Sequence, residues 1–246
     1  MKDFIYGIHS VKEAILSGKT IDKILIQKGT SQTLSEIKQL SKKYQISIQE
    51  VPLVVLEKLC YQKNHQGIAA YLSPIEYQPV EEIVTRTFEF GETPFLVLLD
   101  GVTDVRNLGA IARSAECMGV HALILPRTGS AKINQDAIKT SAGAFHYLPV
   151  CKEENLKKTI LTLKAMGIQI LACTEKTNKL VHQFDLSQPI CFILGDEGKG
   201  ISSSLLKLCD DKVSIPMFGQ IESLNVSVAA GIIFYETQKQ RNCITH

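Results

Sequence analysis

Tryptophan is absent from the 246 residues, proline occurs only 8 times, and no C-x-x-C pair interrupts the chain. The seven cysteines (Cys60, Cys117, Cys151, Cys173, Cys191, Cys209 and Cys243) are odd in number and widely spread. With no histidine at zinc-ligand spacing, they read as reduced core thiols rather than a metal site or a disulfide framework. No apolar run approaches the roughly 18 residues of a membrane span, and the mean hydropathy of +0.07 with mixed charge excludes a disordered chain. Asp3 and Glu13 break up the N-terminal apolar positions, so a signal peptide is not expected and the cytoplasm is. Neither a Walker A loop nor a G-x-G-x-x-G fingerprint occurs, which leaves the familiar routes to phosphate or dinucleotide binding without support. Internal repeats and low-complexity tracts are missing as well.

Charge is nearly balanced, at +2 overall, but it is unevenly placed. Residues 1–75 carry 10 Lys, no Arg and 6 acids, while residues 76–92 carry Arg86 against five Glu. A mildly basic block suits weak contact with a polyanion and equally suits an ordinary solvated surface. Within that block, Ser10 to Glu13 fits a capping box for a short helix ending near Gly18. Ile21 to Gln27 then reads as a strand, Leu34, Ile37, Leu40 and Tyr44 recur at helical spacing, and Ile46 and Ile48 alternate as a second strand. Pro52 opens a third helix through Cys60, and Gly67 to Leu72 closes a small α/β domain over 1–75. Pro74, Pro79 and the Glu cluster mark residues 76–92 as a linker with a short helical possibility near Glu81 to Arg86.

From residue 93 to 246, near-continuous apolar runs (FLVLLD, HALILP, IQILAC, ICFILG) alternate with helical patterns. That alternation predicts a mostly parallel sheet covered on both faces, with ligands at the carboxyl ends of its strands. Three polar, glycine-rich segments fall at such ends. In DGVTDVRNLGAIARSA, Leu108, Ile111, Ala112, Ala115 and Met118 form the apolar stripe of a helix. Arg113 lies off the stripe, and on pattern alone it is a surface charge and Asn107 an N-cap. In ILGDEGKGIS, three glycines in six residues allow close backbone approach to a ligand or simply a tight turn. In IPMFGQIESLNVSVAA, Ser223 is placed to cap the last helix, which is apolar on nearly every side and so belongs in a core or a subunit interface.

Taken together and in this order, the three segments resemble the SpoU (TrmH-like) branch of the SPOUT RNA ribose 2′-O-methyltransferases. The first motif is similar to Asn107-Leu108-Gly109-Ala110 with Arg113 and Ser114, the second to Leu194-Gly195 with Glu197 and Gly200, and the third to Ile215-Pro216-Met217 followed by Ser223-Leu224-Asn225-Val226-Ser227. Through Tyr6-Gly7-Ile8-His9 and His65-Gln66-Gly67, the N-terminal block resembles the L30e-like domain of the bacterial 23S rRNA guanosine-2′-O-methyltransferases. Val105 stands where family members often carry proline, a difference that touches loop stiffness and removes no reacting group.

The resemblance implies an L30e-like RNA-binding domain followed by a SPOUT domain with a deep C-terminal trefoil knot, working as a homodimer with S-adenosylmethionine as cofactor and no metal. It implies that Thr174, Leu194, Gly195, Ile215, Met217, Ser223 and Leu224 bind the cofactor. Asn107, Arg113, Glu197, Ser223 and Asn225 are then the catalytic set, and His9, His65 and Arg106 contact RNA. Family accounts cast the motif arginine as a base; a guanidinium stays protonated, so a fork gripping the neighbouring phosphate is the better role for Arg113. Three other readings stay open at this stage: a tRNA methyltransferase, a non-catalytic RNA-binding dimer and a dinucleotide-dependent oxidoreductase. Cofactor binding discriminates the second, and tight NAD binding would be needed to revive the third.

Overall fold

The computed structural model describes residues 4–29, 34–44, 46–221 and 223–243. The chain divides into two compact units, Met1–Glu76 and Tyr77–His246.

The first unit runs β1 (Phe4–Tyr6), α1 (Ile8–Leu16), β2 (Ile21–Gln27), α2 (Ser35–Lys43), β3 (Ile48–Val51), α3 (Leu53–Leu59) and β4 (Ile68–Leu72). Its sheet has the order β1-β4-β2-β3, antiparallel except for the β2–β3 pair. Val11, Ala14 and Ile15 of α1 and Ile37 of α2 bury against Ile24 and Ile26 of β2, the i, i+3, i+4 stripe a two-layer α/β unit requires. The short β1 has no sequence signal of its own; three half-buried residues are a strand only because β4 offers them a ladder. The expected capping box is corrected here. Ser10 lies inside α1, whose N-cap is Gly7 at φ +88°, and no side chain caps it. A positive φ at the entry admits glycine, so helix formation begins three residues earlier than the Ser-x-x-Glu spacing suggests.

The second unit runs α4 (Val80–Glu89), β5 (Phe95–Asp100), α5 (Val105–Cys117), β6 (Ala122–Pro126), α6 (Gln135–Thr140), β7 (Val150–Glu153), α7 (Leu156–Ala165), β8 (Gln169–Cys173), β9 (Ile190–Gly195), α8 (Ser203–Leu206), β10 (Asp211–Val213) and α9 (Val226–Cys243). All six strands are parallel in the order β10-β8-β9-β5-β6-β7. Leu96 and Leu98 of β5 and Cys191 and Ile193 of β9 point to the face covered by α4, α7 and α8. Alternate residues point the other way, where the Phe95 ring meets Phe192 at 6.1 Å and Phe234 of α9 at 5.7 Å, both edge-on. On that face α5 packs against α6 and α9.

Two expectations change. The stretch 76–92 is not a linker: Val80, Ile83 and Val84 of α4 are buried in the second unit's core, and Gln78 N donates to the Val150 carbonyl. Proline and acidic content mimicked a linker because the prolines flank the helix and the glutamates occupy its solvent side. The last helix is also less buried than its apolarity suggests, since Val228, Ile232 and Tyr235 form an exposed stripe at 50, 38 and 60 %. Of the cysteines, Cys60, Cys151 and Cys191 are buried and Cys117 is exposed; the Cys243 side chain lies outside the described residues. Burial pushes the Cys151 and Cys191 thiols well up, away from thiolate chemistry. Among the described residues no helix is long and apolar enough to cross a membrane and no His/Cys/Asp/Glu group could hold a metal.

Candidate active site

At the head of α5 the N-cap is Asp104, whose Oδ1 accepts the Arg106 amide at 2.7 Å and the Asn107 amide at 3.0 Å. That arrangement frees the Asn107 carboxamide from the capping role suggested by pattern. Its Nδ2 donates instead to Glu197 Oε1 at 3.0 Å, across 90 residues of sequence.

Glu197 sits in the tight loop that follows β9. The preceding Asp196 carboxylate accepts the Gly198 and Lys199 amides, each at 2.9 Å, and the Gly200 amide donates to the Asp196 carbonyl at 2.8 Å. These donors hold the Asp196 carboxyl below the usual range, so it is ionised at neutral pH. The loop returns so closely on itself that a Cβ at Gly195 would lie 2.3 Å from the Gly200 carbonyl carbon. Asp100, at the end of β5 and paired in register with Gly195, pins the return by accepting the Ser202 amide at 2.7 Å.

The third segment arrives at α9. Ser223 does not cap this helix. Asn225 does, with Oδ1 accepting the Ser227 amide at 2.9 Å, because the helix starts at Val226 and the Asn225 side chain is the one within reach. Asn225 Nδ2 donates to Asn107 Oδ1 at 3.1 Å and to Glu197 Oε1, and the Val226 amide approaches the same carboxylate oxygen at 3.4 Å. One carboxylate oxygen thus gathers N–H donors from two of the three sequence segments, and residues 107, 197 and 225 form a single polar cluster.

Beside this cluster lies a pocket at the carboxyl ends of β8, β9 and β10. Its walls include Thr174, Leu194, Gly195, Ile215, Met217, Ser223 and Leu224, the seven positions singled out from the sequence, together with Glu197. Sequence reasoning missed Cys173, Glu175, Asp196 and Val213, and also Val226, Ala229 and Ile233 of α9. The strand-end rule marked the first four as a region; nothing in the sequence said which face of α9 turns inward. Apolar walls with Glu175, Asp196 and Glu197 at the polar side suit a ligand that joins a flat apolar ring to a cationic centre.

The remaining candidates lie elsewhere. Arg113 is exposed on α5, six residues past Asn107, and is not among the pocket's lining residues. Six residues are about 9 Å of helix rise and about a third of a turn around the helix. Arg106 lines a separate polar cleft with Asp104, Asp136 and Lys139. In the first unit His9 is exposed on α1, whereas His65 is 8 % exposed and its Nδ1 accepts the Gly67 amide at 3.0 Å, which ties it to the turn before β4. The neighbouring Gln66 Oε1 accepts the Ile8 amide at 2.9 Å, so the two stretches that carry the N-terminal resemblance meet in space.

Comparison with known proteins bears on the same two regions. Residues 94–235 match the SpoU rRNA Methylase family, and residues 4–78 match the RNA 2′-O ribose methyltransferase substrate binding family. A putative TrmH family tRNA/rRNA methyltransferase of Staphylococcus saprophyticus is 38 % identical over 241 residues, covering 98 % of this chain and 96 % of its own. Among solved structures, the SpoU methyltransferase AviRb of Streptomyces viridochromogenes, determined in complex with AdoMet, superposes with a TM-score of 0.63 at 24 % identity, covering 98 % of this chain and 91 % of that one. The TrmH/SpoU tRNA modifying enzyme of A. aeolicus is 32 % identical with a TM-score of 0.57, covering 67 % of this chain and 85 % of its own.

Proposed function

The chain belongs to the SpoU rRNA methylase family of RNA methyltransferases, which use S-adenosylmethionine, and from that premise we propose that it methylates the ribose 2′-hydroxyl of a guanosine in 23S rRNA. The observation that carries the reading is the convergence of Asn107, Glu197 and Asn225 beside a pocket lined by Gly195, Ile215 and Leu224. S-adenosylmethionine, when bound there, supplies an electrophilic methyl group and carries a positive sulfonium. The pocket fits it: Leu194, Ile215 and Leu224 offer apolar surface to an adenine, and Glu175, Asp196 and Glu197 offer negative charge to the cation.

The work left to the chain is positioning, a source of up to roughly 7–11 kcal/mol in favourable cases. Glu197 Oε1 already accepts several N–H donors, which suits a holder of Asn107 and Asn225 rather than a base. Asn107 and Asn225 then meet the ribose, while Arg113 grips a phosphate of the substrate strand and the hydroxyl proton passes to phosphate oxygen or water. Since Arg113 does not line the pocket of its own chain, the reading requires a homodimer in which a second copy brings it to the site. The exposed Val228, Ile232 and Tyr235 stripe on α9, the helix packed against α5, supports that pairing. The first unit captures RNA with His9 as a contact, Arg106 of the second unit is a further contact, and the trefoil knot threads the strand-end loops around the pocket. The name of the family matched by residues 4–78 supports both the ribose 2′-oxygen and an RNA-binding role for that unit.

Mapping 2′-O-methylation across total RNA of cells with and without the gene tests this. Loss of one guanosine mark in 23S rRNA is expected. A lost mark in tRNA would overturn the substrate, and an unchanged map would overturn the activity.

A further inference from the structure

Phe218 is the most exposed of the nine phenylalanines, at 96 %. It follows directly on Met217, which lines the pocket, and the chain returns to the pocket wall at Ser223 and Leu224. Ile221, three residues past Phe218, is 75 % exposed as well. A Cβ placed on the adjacent Gly219 would meet nothing within 4 Å, so the tip stands clear of the rest of the fold. A phenylalanine held there forgoes the transfer gain that burial would give it, and it stands one residue, about 3.8 Å of backbone, from the pocket wall.

We propose that Phe218 is a base-stacking platform that holds the target nucleotide at the mouth of the pocket. The inference rests on the RNA ribose reading above and adds the contact that seats the substrate. In-line methyl transfer needs the ribose oxygen within about 3–3.5 Å of the methyl carbon. The base attached to that ribose must therefore lie at the pocket rim, unstacked from its own strand. Proteins that take up unpaired nucleotides recover the lost stacking on an aromatic ring, a contact every base can make. Phe218 adjoins the lining residue Met217, and its charge-free face suits a base better than a phosphate; Asn107 and Asn225, held by Glu197, remain for the sugar.

The test uses full-length protein, tritiated S-adenosylmethionine, and total RNA from cells lacking the gene as methyl acceptor. Phe218→Ala should lower kcat/KM for RNA on the order of 10- to 100-fold. Its cofactor affinity, measured by calorimetry, and its oligomeric state, measured by light scattering, should match wild type. Phe218→Tyr should restore most of the rate and Phe218→Leu should not, because leucine keeps apolar area without a π-face. A leucine variant as fast as wild type would overturn stacking in favour of simple apolar packing. A parallel loss of cofactor affinity would assign the ring to the adenine, and a shift to monomer would assign it to a subunit contact. If wild type itself transfers no methyl to this RNA, the ribose reading falls first and the inference with it.

Discussion

Gly195→Ala is the sharpest perturbation of the site, because its consequence follows from space alone. The added Cβ would lie 2.3 Å from the Gly200 carbonyl carbon, 2.4 Å from Ile201 N and 2.6 Å from Gly200 O. All three are backbone atoms, with no rotamer to escape into, so the 200–201 segment must retreat by about 1 Å to reach ordinary contact. That retreat pulls on the Gly200 amide bond to the Asp196 carbonyl, 2.8 Å, and on the Ser202 amide bond to Asp100, 2.7 Å. Overpacking costs about 1–3 kcal/mol and each of the two weakened hydrogen bonds about 1 more, giving roughly 3–5 kcal/mol. For a chain of this size the melting temperature should fall by about 10 °C. The displaced segment is the pocket wall, so affinity for S-adenosylmethionine should fall on the order of 100-fold, measurable by calorimetry. Gly198→Ala, three residues on, is the control. Its Cβ would sit 3.5 Å from Asp196 Oδ1, an ordinary contact, and its amide is retained, so it should melt and bind as wild type does. A Gly195→Ala protein that binds cofactor within about twofold of wild type would refute the close-approach argument.

Three further outcomes follow from particular contacts. Arg113→Lys keeps the charge and loses the two-pronged donor, so turnover on RNA should drop by about 10²-fold or more with cofactor affinity unchanged; near-normal turnover would sink the phosphate-clamp role. Asn225→Asp keeps the oxygen that caps α9 but replaces the donor to Asn107 and Glu197 with a like charge. Single-turnover rates should fall about 10–100-fold while the melting temperature moves by only a few degrees, since aspartate caps helices as well as asparagine. Arg241 donates to the carbonyls of Leu186, Thr93, Pro94 and Gln188 and stacks over the Phe95 ring at 5.2 Å. Burial pushes its guanidinium down to about 10, so it remains protonated at neutral pH. Arg241→Lys cannot span four acceptors and should cost about 2–3 kcal/mol in chemical denaturation while leaving cofactor affinity intact.

The amino-acid sequence by itself determined the alternation of strands and helices, the parallel second sheet and the strand ends at which a ligand pocket belongs. Each of those rests on local information: apolar runs of strand length, 3.6-residue periodicity, and glycine-rich stretches at strand ends. Tertiary structure decided the rest. β1 exists because β4 pairs with it, and α4 belongs to the second core although its flanks read as a linker, because Val80, Ile83 and Val84 find a sheet to cover. Asn107 is released from capping by Asp104, and Asn225 takes over the cap expected of Ser223; a capping oxygen and a free carboxamide look the same in sequence and differ only in the distance to the nearest amide. The distance from Arg113 to the pocket was likewise beyond pattern, since spacing along a helix fixes which side a residue faces and not what lies opposite. Bringing residues 107, 197 and 225 within hydrogen-bond reach is the work of the parallel sheet, which gathers the carboxyl ends of its strands at one edge whatever their separation along the chain.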